Sequence, residues 1–432
     1  MKLTGWGRFP IIQALGRSFN NQEALGDYLK SAEGCIAHGM GRSYGDSALN
    51  EQVILTRRFN KILSFDPQTG TVVCESGVSL AELIDAFLPR GWFLGVVPGT
   101  KFISVGGAIA SDVHGKNHHQ MGCFSEYVSA FDLMLSQGEV VRCSRQENAP
   151  LFHATCGGMG LTGVILRAEL RLEPIQSSCI RETLIPSPNL EDVINLFEEN
   201  RSAAYSVAWI DCLAKNEHQG RSIVVLGEPA EAGPLNLPPS KIWTVPVGLP
   251  GFCLNQYTVS WFNYFYYKLK SNFVAGRLVS LDEFFFPLDK IAHWNKLYGR
   301  RGFTQYQLVL PKDAGLAGLK VILAKIAATG LGSFLAVLKL FGPENANYLS
   351  FPLEGYTLAL DFQIQNLLFP FLDELDRIVL DHGGRLYLTK DVRMSREVFR
   401  KGYPRWEQFA QIREQYHLNE KFNSVQSKRL GV

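Results

Sequence analysis

Charge is scarce in this chain: 19% of its 432 residues are Asp, Glu, Lys or Arg, where about 25% is usual. The 43 basic residues against 41 acidic ones leave a formal net charge of +2. That balance excludes a strongly basic nucleic-acid binder and an acidic solvating tail. Paired cysteine spacings are missing too. The eight cysteines, at 35, 74, 123, 143, 156, 179, 212 and 253, show no CxxC and no repeated interval, so they read mostly as free thiols of a reducing compartment. An apolar secretory leader is not expected either, because Gly5-Trp6-Gly7 and Arg8 interrupt the start. The expected location is cytoplasmic, with peripheral contact at the inner face of a membrane left open.

No uninterrupted apolar run is long enough to span a bilayer. The longest charge-free stretch, residues 242–267, is broken by Pro246, Gly248, Pro250 and Gly251. Asn255, Gln256 and Asn263 would each need a partner in lipid. Two readings stay open: a proline-rich loop followed by a buried amphipathic piece, or an aromatic surface beside lipid or a long apolar substrate.

Glycine, by contrast, is plentiful, at 40 residues of 432, which points to backbone-lined sites. Residues 35–140 hold short β-like runs with turn glycines such as Gly70 and Gly138. Ser79 caps a helix that Pro89 ends. From about 178 longer helices and strands alternate, including a helix closed by Gly330. A domain boundary is expected near Pro174; a second, near 385, is blurred.

Three glycine motifs carry the chemistry. Gly158-Met-Gly160-Leu-Thr-Gly163 matches the dinucleotide fingerprint, but that motif works only between a strand and a following helix. Here a helical stretch precedes it, and residues 164–172 alternate with period two, so a Rossmann site is not expected. His38-Gly39-Met40-Gly41-Arg42-Ser43-Tyr44-Gly45-Asp46 follows a short apolar run and has no helix after it. It reads either as a tight loop or as a nest of backbone N–H groups for a pyrophosphate. The third, residues 105–119, reads as a loop whose paired Gly106 and Gly107 permit close backbone approach to a flat ligand. His114, His118 and His119 with Asp112 suggest a metal site, but no recognised spacing completes one, and none is expected.

In this order, the loops resemble those of the vanillyl-alcohol-oxidase/p-cresol-methylhydroxylase (PCMH) type of flavoprotein. The resemblance runs from LTGWGR through GRSYGD, VVPGT, VGGAIASDVHGKNHH and GGMGLTG to YSVAWID, FFFPLDKIAHWN, RGFTQYQ, KLFGP, LSFPLEG and RLYLTKDVRM. It implies an α+β chain: a two-subdomain FAD-binding domain over 1–177, a substrate domain with an antiparallel sheet flanked by helices over 178–384, and a segment, 385–432, returning to the FAD domain. FAD would lie against Ala37, His38, Gly39, Met40, Gly41, Arg42, Ser43, Tyr44, Gly45, Asp46 and Ser47. It would also meet Gly99, Ser104, Val105, Gly106, Gly107, Ser111, Asp112, Val113, His114, Ile165 and Tyr387. Members that attach FAD covalently often carry histidine where this chain has Arg42, so the implied FAD is non-covalent.

The implied reaction is oxidation of a secondary sugar hydroxyl on a polyprenyl-phosphate-linked pentose, the first half of an epimerisation completed by a separate NAD(P)H-dependent keto-reductase. A nucleotide-linked sugar would fit as well. Lys390 is the leading group for handling the hydroxyl proton, as base or charge stabiliser; a surface pair with Asp391 is the plainer reading. Tyr44 is the alternative acceptor. Trp209, Gln305, Gln307, Lys339, Thr357 and Ala359 match substrate positions, with Lys339 suited to a phosphate. Actinobacterial members carry cysteine at the position of Ala359 and asparagine at that of Thr357, which leaves the sugar open. Alternatives are an oxidase of a free polyol or sugar lactone, a metal-dependent hydrolase using the three histidines, and a non-catalytic nucleotide-binding scaffold.

Overall fold

A computed structural model describes residues 1–238, 242–246, 248, 255–272 and 276–432. Near the N-terminus a small parallel sheet places Gln52–Leu55 between Leu15–Arg17 and Ile36–His38. The helix Gln22–Ser31, capped by Asn21, connects the outer two strands.

A second sheet is built around Val164–Pro174, which pairs antiparallel with Thr71–Glu75, Val128–Met134 and Trp92–Leu94. Its alternation of apolar and charged residues gives the period-two burial expected of a strand. The residues before Gly158 form the helix Ala149–Thr155, so the strand–turn–helix order of a dinucleotide fingerprint is absent from this turn. Ser79 caps Leu80–Phe87 in a capping box with Glu82, and Pro89 lies in the 3₁₀ turn that follows. The third glycine motif differs from its reading as a loop. Val105–Ala110 is a short helix, because the Ser104 hydroxyl accepts from the Gly107 amide and caps it despite the two glycines.

The largest sheet has eight strands, all pairs antiparallel. Its order is Arg277–Ser280, Cys179–Ser187, Ser222–Pro229, Tyr205–Ile210, Ala336–Phe341, Gly355–Gln363, Phe303–Pro311 and Arg385–Leu386. Period two divides its side chains between two faces. Residues such as Leu308, Leu338, Leu358 and Leu360 join the core, with helices Leu190–Glu199, Lys312–Thr329 and Leu368–Asp381 packed in that layer. Gln305, Gln307, Lys339 and Ala359 face the other way, into a cavity.

Arg385–Leu386 still belongs to this sheet, and only afterwards does the chain cross back to the N-terminal region. Phe422 bridges Cys35, Arg429 pairs with both Asp46 and Asp391, and buried Arg413 joins the Leu161 and Phe422 carbonyls. Because the eight-stranded sheet takes in residues on both sides of 384, pattern alone gives no sharp boundary there.

Within 242–267, residues 247 and 249–254, Cys253 among them, lie outside the described residues. The described part contradicts a buried amphipathic piece. Helix Gln256–Lys270 buries only Val259 and Asn263, and leaves Tyr257 80% and Trp261 71% exposed. Among the described residues no helix is long and apolar enough to cross a membrane.

Candidate active site

A cavity of ≈ 650 Å³ lies between the glycine loops and the open face of the eight-stranded sheet. On the loop side, Ala37, Gly39, Met40, Gly41, Arg42, Ser43, Tyr44 and Ser47 line it. His38, Gly45 and Asp46 do not, and each is turned away for a visible reason. The His38 ring bonds the Ala48 carbonyl at 3.0 Å. Gly45 lies so close to the C-terminal segment that a Cβ would be 2.0 Å from the Asp391 oxygen. Asp46 is ion-paired with Arg429 at 2.8 Å. The amides of Tyr44, Gly45 and Asp46 donate to the Thr389 and Asp391 carbonyls, so only part of the nest is available. Among the described residues, the amides of Gly39 to Ser43 make no backbone hydrogen bond.

Ser104, Gly106, Gly107, Ser111, Val113, His114, Ile165 and Tyr387 line the same cavity, as does Gly99, whose Cβ position has nothing within 4 Å. Val105 and Asp112 face away. Val105 is core. Asp112, fully buried at φ 39°, accepts from the Ser125 amide and from Asn345, Asn347 and Ser350. It braces the loop from behind. The three histidines diverge: His114 Nε2 meets Gln307, His118 Nδ1 accepts from the Gly342 amide, and His119 Nε2 meets the Ala203 carbonyl. No metal-holding group of His, Cys, Asp or Glu occurs among the described residues.

Five strands of the large sheet supply the opposite wall. Trp209 donates its indole N–H to the Phe334 carbonyl at 3.1 Å and packs at a tilt against Tyr266, leaving an apolar surface. Gln305 and Gln307, two residues apart, share one strand face. Ala359 lies opposite Gln307 in register and lines the cavity. Thr357 does not; its hydroxyl donates to the Leu308 carbonyl at 2.7 Å.

Lys390 ends the 3₁₀ turn Leu388–Lys390 and reaches the cavity beside Tyr44. Asp391 is not its partner, since that carboxylate holds Arg429 and caps the Arg393 and Met394 amides. Burial brings Lys390 down to about 7, against the pull of Asp361 and with repulsion from Lys339. Burial alone brings Lys339 to about 8. It also leads for His114, helped by Lys339, His118 and Lys390, and keeps that imidazole neutral. Because the Gln307 amide nitrogen donates to Nε2, the His114 proton sits on Nδ1.

Sequence reasoning passed over the cavity residues Trp6, Lys116 and Asp289. Lys116 donates to the Phe284 carbonyl over the Phe284 ring, and burial, with Lys339 nearby, brings it to about 7. Its place in the same glycine-led loop as His114 was an available signal. Arg42 stacks on Trp6 at 4.0 Å. Asp289 binds the Thr100 hydroxyl and the Lys101 amide, a long-range contact with no local trace.

The residues fit an FAD. The loop side offers a glycine cradle and unspent amides, and two buried polar atoms on the cavity residues Ser76 (Oγ) and His114 (Nδ1) have no partner among the described residues. Residues 22–144 match an FAD binding domain family. Fold, cradle and domain match together define an FAD-dependent oxidoreductase. Over all of this chain and 97% of its own length, the decaprenylphosphoryl-β-D-ribose oxidase of Mycolicibacterium smegmatis is 37% identical. An uncharacterised protein of Streptomyces coelicolor is 30% identical over 82% of this chain and all of its own. A D-lactate dehydrogenase of Anaerostipes hadrus is 32% identical over 33% of this chain and 31% of its own. The chain belongs to the decaprenylphosphoryl-β-D-ribose oxidase family.

Proposed function

We propose that this protein oxidises a secondary hydroxyl of a polyprenyl-phosphate-linked ribose to the keto-sugar, as the first half of an epimerisation that a separate NAD(P)H-dependent keto-reductase completes. The observation that carries this reading is the pairing, across one cavity, of a glycine cradle with a wall bearing Gln305, Gln307 and Lys339. When bound, FAD supplies the two-electron oxidant that takes hydride from the sugar carbon. Lys390, poised near neutrality, accepts the hydroxyl proton at Nζ. Lys339 pairs with the phosphate, and the two glutamines bond the sugar.

Trp209, Phe262 and Tyr266 line the route toward the aromatic helix. The same helix carries exposed Trp261 and Phe265 outside, which supports a prenyl chain leaving the cavity there and a peripheral membrane contact. Arg42, whose guanidinium is no bonding partner for a flavin methyl group, supports non-covalent FAD. The reading divides the chain into 1–177 for FAD, 178–384 for substrate, and 385–432 as the returning segment. A nucleotide-linked or free sugar would not use this aromatic exit, and a free polyol would leave Lys339 without an anion.

Anaerobic reduction of the bound flavin tests the reading, with a short-chain prenylphosphoryl ribose, nucleotide sugars and free polyols compared at equal concentration. Bleaching by the prenylphosphoryl ribose is expected. Bleaching by free polyols alone would overturn it.

A further inference from the structure

Asp361 stands directly opposite Gln305 in the sheet register and is 1% exposed. Its Oδ1 accepts from Gln305 Nε2 at 2.6 Å, and its Oδ2 accepts from the Tyr298 hydroxyl at 3.2 Å. Its own amide donates to Ser333 Oγ at 3.1 Å. Of the other buried aspartates, Asp46, Asp211 and Asp376 are matched by Arg429, Arg221 and Arg393, whereas Asp112, which faces away from the cavity, is held by four neutral donors. Asp361 has two neutral donors and no ion pair among the described residues. A buried carboxylate without an ion pair carries a desolvation cost that its two hydrogen bonds offset only in part.

An ionised carboxylate only accepts hydrogen bonds, so it obliges the Gln305 amide to turn its NH₂ inward. That leaves Oε1 for the cavity. Gln307 is held the same way, its NH₂ engaged by His114 Nε2 at 3.1 Å and Thr357 Oγ1 at 3.4 Å. Both glutamines therefore offer carbonyl oxygens, which read hydroxyl donors on the substrate.

We propose that Asp361 is a positioning residue for the oxidation, fixing Gln305 as a hydrogen-bond acceptor toward the sugar and placing a negative charge behind Lys390. The proposal rests on the sugar-oxidation reading above for its first half; the second half concerns Lys390 alone. Burial pushes Asp361 up to about 7 and Lys390 down to about 7, while the attraction between them favours the charged form of each. The other titratable groups facing the pair are Tyr44 and Tyr298, both held neutral, with Lys339 and His114 beside Lys390. Without the carboxylate, Lys390 loses its proton at lower pH.

The test uses FAD-loaded enzyme and the variant Asp361→Asn. That side chain has one acceptor oxygen where the carboxylate has two, so the Tyr298 hydroxyl and the Gln305 amide compete for it and the orientation of Gln305 is no longer fixed. KM for a short-chain prenylphosphoryl ribose should rise about tenfold, with FAD content unchanged. In a Gln305→Leu background, Asp361→Asn should leave KM unaltered. NMR titration of ¹³C-lysine-labelled holoenzyme, with Lys390 assigned by Lys390→Met, should show its midpoint falling by about one pH unit in Asp361→Asn and staying put in Gln305→Leu. Asp361→Ser carries the same readouts if the asparagine variant does not fold. An equal KM effect with and without Gln305 overturns the proposal, as does an unmoved Lys390 midpoint. If the prenylphosphoryl ribose fails to reduce even the unaltered enzyme, the sugar reading fails while the Lys390 titration still decides on Asp361.

Discussion

The Lys390 Nζ lies 3.8 Å from the centre of the Tyr44 ring, and that ring is itself held edge-on by Phe303 at 5.4 Å. An aromatic face favours the ammonium, whereas burial favours the free amine and brings Lys390 down to about 7. The Tyr44 phenol is pushed well above its ordinary range, first by burial and then by Asp361. Of the two candidate proton acceptors, Lys390 is the one close to neutrality; Tyr44 acts as its platform.

Lys390→Met should therefore reduce anaerobic flavin bleaching at least 10²-fold, the size expected for losing a general base. FAD should remain bound, because the cradle is built by other residues. Stopped-flow absorbance and the flavin content of the purified variant check both halves.

Lys339→Met addresses anchoring. The lysine lines the cavity on the strand Ala336–Phe341, opposite Thr357. If it holds the phosphate, KM for a prenylphosphoryl ribose should rise about tenfold or more, with kcat changed much less. Steady-state kinetics at several salt concentrations would separate this from general damage.

Gly45→Ala should destabilise the protein by about 1–3 kcal/mol or more, because its Cβ would meet the Asp391 carbonyl oxygen at 2.0 Å, and backbone does not yield easily. The same displacement pulls the Tyr44 and Gly45 amides off the Thr389 carbonyl. A lower urea midpoint together with weaker FAD retention is the expected pair of results.

Glu82 gives the pH dependence. Partial burial raises its pKa, but bonds from Arg57 and Ser79 outweigh this and hold it at about 2, against an ordinary 4.5. A depressed folded value means that its stabilisation is present above about pH 4.5 and is lost as pH falls toward 2. Glu82→Gln should therefore flatten acid destabilisation across that window. Urea unfolding at stepped pH values, compared with the unaltered protein, measures it.

Much of the architecture could be read from local pattern. The Ser79 cap, the Gly330 stop and the period-two strand after Gly163 each rest on interactions within a few residues. The site was harder. Gly39, Gly106 and Gly107 announce close backbone approach, and Lys390 emerged only through family resemblance. Asp112, Asp289 and Asp361 act through partners far along the chain, at Asn345, Thr100 and Gln305, and nothing near them in sequence records those meetings. Val105–Ala110 looked like a loop because glycine disfavours helix; the Ser104 cap reverses that preference.

The ion pair between Asp46 and Arg429 joins residues 383 apart. On a ribosome adding about 5–20 residues per second, the cradle loop emerges roughly 20–80 seconds before the arginine that braces it. Until then the pocket lacks its rear support, and Lys390 itself emerges only shortly before that arginine. The braced cradle therefore exists only once nearly the whole chain has been made, which ties its completion to the C-terminal segment.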